Sequence, residues 1–216
     1  MPNALSRFED EFWGSWKQTE VFRHTQALAW LNASSGPVLD VGCGDGFFLS
    51  LLRKRGIESW GVDISPVAVS NCQSNGLDAI VCDFEAGALP DRFARTCVIL
   101  DVLEHMYDPK PILQALHEKV ETLIISVPNF VSLPARLQVL RGGVPENNTP
   151  RKGHIYWYTK KILERRLDES GWKIEAWAFN PPWMSKPVIG PMMKILSKIT
   201  PALFSLSFLV IAKRKT

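Results

Sequence analysis

The chain has few of the residues that would settle its chemistry at once. Its four cysteines, Cys43, Cys72, Cys82 and Cys97, include no C-x-x-C pair. A dithiol redox motif and a paired-cysteine zinc site are therefore excluded, and reduced thiols in a cytoplasmic protein are expected. Neither charge is in excess: 25 Lys and Arg against 22 Asp and Glu leave +3, with both signs interspersed. No basic stripe with stacking aromatics is present, so no nucleic-acid partner is expected. The longest uncharged apolar stretch, residues 199–212, is interrupted by Pro201 and falls short of the about 20 residues a membrane span needs. Glu9, Asp10 and Glu11 precede any apolar run, which is not the order of a secretory signal. There is no G-x-G-x-x-G turn and no G-K-[ST] phosphate loop.

What is present is a rhythm. With 216 residues, 46% of them hydrophobic, the chain suits one domain, 1–216. Leu5, Phe8, Phe12 and Trp16 recur at helical spacing, and residues 1–35 read as a helical cover. From Pro37 onward short apolar runs alternate with helical patterns. "PVLDVG", "IESWGVDI", "LDAIVCDF", "TCVILDVL" and "ETLIISVPN" read as strands. Between the first three lie a helix stopped by Gly56 and one capped by Ser65-Pro66 and stopped by Gly76. Asp108-Pro109 opens another before the fifth strand, and a later helix runs from Thr159 to Gly171. "WKIEAWAF" and "FSLSFLVIAKRK" close the chain as strands. The alternation predicts an α/β, doubly wound, mostly parallel sheet with helices on both faces. Residues 130–153 and 180–203 break the rhythm and are expected to be insertions covering the substrate side.

Ligands of such sheets bind beyond the carboxyl ends of the strands. The first strand ends in "VLDVGCGDGFF", a G-x-G-x-G turn of Gly42, Gly44 and Gly46. Asp63 ends the second strand, where an acid can accept bonds from two ribose hydroxyls. Asp83-Phe84 ends the third, where a carboxylate and a ring can meet an adenine. Each has a plain alternative: a tight turn, a helix-capping aspartate, an exposed turn. Together they describe a nucleoside pocket without a phosphate cradle.

"VLDVGCGDGFF", "GVDIS", "CDFE" and "VILDVLEHMYDP" resemble the successive motifs of class I S-adenosylmethionine-dependent methyltransferases, over roughly residues 36–180. The resemblance implies a Rossmann-like, seven-stranded sheet with an antiparallel last strand, and S-adenosylmethionine as cofactor. It places Gly42, Gly44 and the Cys43 backbone at the methionine part, Asp63 at the ribose and Ile64 against the adenine, and counts Asp40 among the cofactor-binding residues. Asp83 and Phe84 would hold the adenine edge, with Asp101 or its neighbour Leu100 near the amino group.

Methyl transfer to a hydroxyl calls for a base, and histidine suits neutral pH. His105 follows the fourth strand and His154 lies in "GHIYWYT", on re-entry from the first insertion. Both are candidate bases, or histidines that fix a loop by a structural hydrogen bond. His24 and His117 sit on helices as surface or packing residues. Asp101, Glu104 and His105 form D-x-x-E-H, at a spacing that can face one way on a helical turn. Similar runs in proteins resembling the ubiquinone O-methyltransferases can hold a divalent metal, but no metal is assigned here.

"NGLDAIVCDFEAG" and "SVPNFVSLPARLQVLRGGVP" are also similar to the methionine-biosynthesis W-type proteins. That likeness implies an alternative: a non-catalytic cofactor-binding protein that docks on a biosynthetic enzyme. The favoured expectation is an enzyme acting on a small molecule, with an oxygen acceptor ahead. Arg136, Arg141, Arg151 and Lys152 either recognise an acidic acceptor or form a solvated basic face. "WMSKPVIGPMMKILSKITPALF" covers an apolar substrate, rests on a membrane surface, forms an interface or packs as core.

Overall fold

The computed structural model describes residues 21–145 and 153–215. The helical stripe expected over Leu5 to Trp16, and Arg151 and Lys152, lie outside them. Helix α1, Phe22–Trp30, buries His24, Ala27 and Leu28. Strand β1, Val38–Val41, leads into α2, Phe47–Lys54. Then come β2, Ser59–Asp63, and α3, Pro66–Ser74, whose first turn is closed by Ser65 accepting the Ala68 N–H. Strands β3, Ala79–Val81, and β4, Thr96–Leu100, precede a single 3-10 turn, Leu103–His105. Helix α4, Lys110–Lys119, strand β5, Thr122–Pro128, and helix α5, Leu133–Leu140, follow. The chain ends with α6, Lys160–Glu169, β6, Trp172–Phe179, α7, Ile189–Ile199, α8, Pro201–Phe204, and β7, Ser207–Arg214.

The seven strands form one sheet in the order β3-β2-β1-β4-β5-β7-β6. The five from β3 to β5 pair in parallel, and β7 is antiparallel to both neighbours. The reversal in strand order lies between β1 and β4, where their carboxyl ends leave a crevice. Because side chains alternate across a strand, the central strands feed two cores. Leu39, Cys97, Ile99, Leu123, Ile125 and Val210 face α4 and α6. Val38, Val98, Ile124 and Leu209 face α1, α2 and α3. The eight-residue run expected for β3 pairs over only three residues, as an edge strand with one neighbour.

The link between β6 and β7 is long but has a closed neck. Asn180 donates to the Ser207 carbonyl at 3.2 Å, and Leu206 donates to Asn180 at 2.7 Å. Asn129, fully buried at the end of β5, reaches into this link. Its Nδ2 donates to the carbonyls of Ala202 and Ser205, at 2.9 and 2.7 Å.

Candidate functional site

The turn after β1 is held by backbone. Gly42, Gly44 and Gly46 all have φ between 56° and 82°, a region in which a side chain is strained. Gly42 and Cys43 both donate to the Val62 carbonyl, which pins the turn to β2. A Cβ on Gly42 would lie 2.4 Å from Cγ2 of Val102. The glycine turn and the segment after β4 are therefore in close packing. Gly46 is the N-cap of α2, and the His24 ring packs on Phe47 and Phe48 with centroids 5.1 and 6.0 Å away. His24 is thus a buried packing residue that seats α1 beside the turn.

Asp63 joins the first two strand ends. Its Oδ2 accepts from the Gly44 N–H at 2.8 Å and its Oδ1 from the Ser65 N–H at 2.9 Å. The capping alternative is thus realised in part: one carboxylate braces the glycine turn and the start of α3 together. Asp40 sits in mid-strand, almost fully buried. Burial first, and the Asp63 charge second, push its carboxyl up to about 8. Ile64 and Leu100 are half-buried at the rim and Cys43 is buried below it. Asp83 and Phe84 part company. Asp83 is exposed, whereas the Phe84 ring is buried within the core that faces α4.

After β4 the chain departs from the sequence expectation. Asp101 adopts φ 56°, unusual for a residue with a side chain. Its carboxylate accepts from the Ser126 hydroxyl at 2.5 Å and pairs with Arg23 of α1 at 3.1 Å. Glu104 turns inward and is fully buried, with neither carboxylate oxygen hydrogen-bonded. Burial first, and the Asp101 charge second, hold it well above the usual carboxylate range. Asp101, Glu104 and His105 therefore do not share one face. The turn that carries them is 3-10 and short, and Asp101 is drawn off by Ser126 and Arg23.

His154 takes the third place instead. The Glu104 carbonyl accepts from both Ile155 and Tyr156, each at 2.9 Å, so the re-entering chain lies along the turn. The His105 and His154 rings meet edge to face with centroids 4.9 Å apart. His154 Nε2 lies 3.8 Å from Glu104 Oε1, longer than a hydrogen bond. One ligand atom from each of Glu104, His105 and His154 lies within 4.8 Å of the others, a grouping able to hold a metal ion.

A cavity of about 380 Å³ is lined by Arg23 and Asp101, by Ser132, Ala135 and Gln138 of the α5 region, and by Asn180 and Ser207. Neither His105 nor His154 lines it. Sequence reasoning missed Arg23 and Ser126. The one local signal was a serine inside the apolar run of β5; the arginine lies 78 positions before its partner (101 − 23).

The sequence matches the family model described as "Methyltransferase domain" over residues 13–176. The chain belongs to the methyltransferase domain family. This methyltransferase is similar to the mitochondrial ubiquinone biosynthesis O-methyltransferase of Schizosaccharomyces pombe, 34% identical over 48% of this chain and 39% of the relative. It is likewise similar to the ubiquinone biosynthesis O-methyltransferase of Pseudomonas syringae, 30% identical over 42% of each chain. The methyltransferase thus spans about two-fifths of the length of these curated relatives. A SAM-dependent methyltransferase from Archaeoglobus fulgidus has the same fold, with TM-score 0.64, 23% identity, and 98% and 100% of the two chains covered. A magnesium protoporphyrin IX methyltransferase from Synechocystis, solved with bound SAH, superposes at TM-score 0.63 with 18% identity, over 99% and 95% of the two chains. The fold is that of class I S-adenosylmethionine-dependent methyltransferases, whose donor is S-adenosylmethionine. The residues at the strand ends suit that molecule: carboxylates rather than cations border the glycine turn, as befits a cationic sulfonium and a ribose diol. Among the described residues no helix is long and apolar enough to cross a membrane.

Proposed function

We propose that the chain transfers a methyl group to an oxygen of a small molecule, with His105 and His154 as the base pair of the site. When bound, S-adenosylmethionine supplies a methyl carbon already activated on sulfur. The backbone of Gly42, Cys43 and Gly44 holds its methionine end, above the buried Asp40. Asp63 receives the ribose, Ile64 packs on the adenine, and Asp83 with the chain at Phe84 borders the adenine edge. Leu100 and Asp101 face the amino group. The segments 130–153 and 180–203 cover the acceptor within a single domain, and a cytoplasmic location suits the reduced cysteines.

One observation carries the base assignment: the His105 and His154 rings are in edge contact within a segment whose Val102 packs on Gly42. A proton leaving an acceptor hydroxyl then has an imidazole close to the donor site. The relatives named for O-methylation support oxygen as the acceptor atom. The acceptor is expected to be a phenol or carboxylic acid with an apolar part; the cavity lined by Arg23 and Asp101, which neither histidine lines, would take the end remote from the reacting hydroxyl.

The test uses methyl-labelled cofactor and a panel of phenols and carboxylic acids. His154→Ala and His105→Ala should each lower the transfer rate by about 10²–10⁴. S-adenosylhomocysteine affinity, by calorimetry, should hold. Undiminished transfer in both variants overturns the base assignment. Transfer only to nitrogen or carbon acceptors overturns the oxygen assignment.

A further inference from the structure

Helix α7 carries its apolar residues on the wrong side for packing. Gly190, Met193 and Ser197 face the protein and are buried. Val188, Met192, Ile195 and Ile199 recur at spacings of four, three and four, which places them on one stripe. They are 84%, 51%, 61% and 72% exposed. Trp183 and Met184, on the turn just before, are also exposed. An outward apolar stripe of this length on a water-soluble surface calls for a partner.

The charges beside the stripe say which partner. From Ala176 to Thr216 the chain has no Asp or Glu. Lys186, Lys194 and Lys198 are exposed, and among the described residues none of them forms an ion pair. At 100° per residue Lys194 and Lys198 lie to one side of the stripe, not opposite it. A second copy docked antiparallel by two-fold symmetry would set both rows of lysines along the same edge of the interface, with no acid from this link to offset them. An anionic bilayer satisfies both halves at once. Its acyl region takes the isoleucines and its headgroups take the ammonium groups.

We infer that α7 and the turn before it form a surface that docks on anionic lipid bilayers. The surface is independent of the acceptor atom proposed above. It also has a consequence for access. Asn180 and Ser207, at the neck of the same link, line the cavity, so an amphiphilic acceptor would reach the site from the membrane side.

The test is sedimentation of the full chain with vesicles. One set is phosphatidylcholine alone and the other is phosphatidylcholine and phosphatidylglycerol in equal parts. Binding to the mixed vesicles, weakened by salt, is expected. Replacing Lys186, Lys194 and Lys198 by Gln should weaken it roughly 100-fold, about five-fold per lysine. Val188→Ser with Ile195→Ser and Ile199→Ser should abolish it. These positions are exposed, so S-adenosylhomocysteine affinity should not change, which separates lost docking from lost folding and from failure of the proposed reaction. Three outcomes overturn the inference. The first is no sedimentation with mixed vesicles. The second is equal binding by the lysine variant. The third is a concentration-dependent dimer that Ile195→Ser dissolves, which would make a second copy the occupant.

Discussion

The glycine turn and the link between β6 and β7 are built on opposite terms. Around the glycine turn, polarity is buried and the shape rests on backbone: three left-handed glycines, a carboxylate bracing two N–H groups, and an aspartic acid behind them whose carboxyl is pushed up to about 8. In the α7 link, apolar side chains are exposed and no acid balances the lysines. A site whose ligand is fixed tolerates little change in shape, so close packing defines it. A surface that meets a variable or fluid partner is defined by composition and needs no such fit.

That contrast can be broken most directly at Asp63. Asp63→Ala should remove measurable S-adenosylhomocysteine binding, since losing charge-assisted bonds costs roughly 100-fold or more. Unaltered affinity by calorimetry would undo the pocket assignment. Gly42→Ala comes next. A left-handed alanine costs about 1–2 kcal/mol, and its Cβ collides with Val102. Affinity and the urea midpoint should both fall, and adding Val102→Ala should restore part of the stability. No recovery would show that strain at φ 74°, not crowding, governs the turn.

Asp40 sharpens the comparison through pH. Below about 4 its carboxyl is protonated in both the folded and the unfolded chain and contributes nothing. Between about 4 and about 8 the unfolded chain releases that proton while the folded chain keeps it, so stability falls as pH rises and levels off above about 8. Asp40→Asn should flatten this slope, by on the order of a few kcal/mol between about pH 5 and about pH 8. Urea melts at the two values would reveal it; a slope equal to wild type would show that the carboxyl ionises freely. The smallest effect belongs to Arg23. Its pair with Asp101 is part-exposed, at 22% and 28%, and Arg23→Ala should cost about 1 kcal/mol, or roughly 3 °C in melting temperature. Cofactor affinity should hold while the acceptor KM rises.

The strand-turn-helix units from β1 to α3 were legible because they are local. Glycines, a strand-terminal Asp63 and the Ser65-Pro66 cap lie within short stretches whose spacing reflects the strand-turn-helix unit. The antiparallel β7 came from family likeness, since alternation by itself predicts parallel pairing. The segment after β4 was legible only in pieces. His105 and His154 were named as candidates, but their contact depends on the Glu104 carbonyl gathering Ile155 and Tyr156 across 50 residues. D-x-x-E-H looked like one face because helical spacing was assumed; a 3-10 turn and the Arg23 pair divide it. Phe84 looked like a base-stacking ring, and core packing claimed it.

Asn129 holds the second insertion through the carbonyls of Ala202 and Ser205. Every residue type presents that same carbonyl, so the fastening is blind to what is fastened. The exposed positions of the 180–206 link can be rewritten, toward a greasier face or a more polar one, without loosening its anchor on β5. The sheet and its outer attachment are in that respect separately editable, because the amide that ties them reads only main chain.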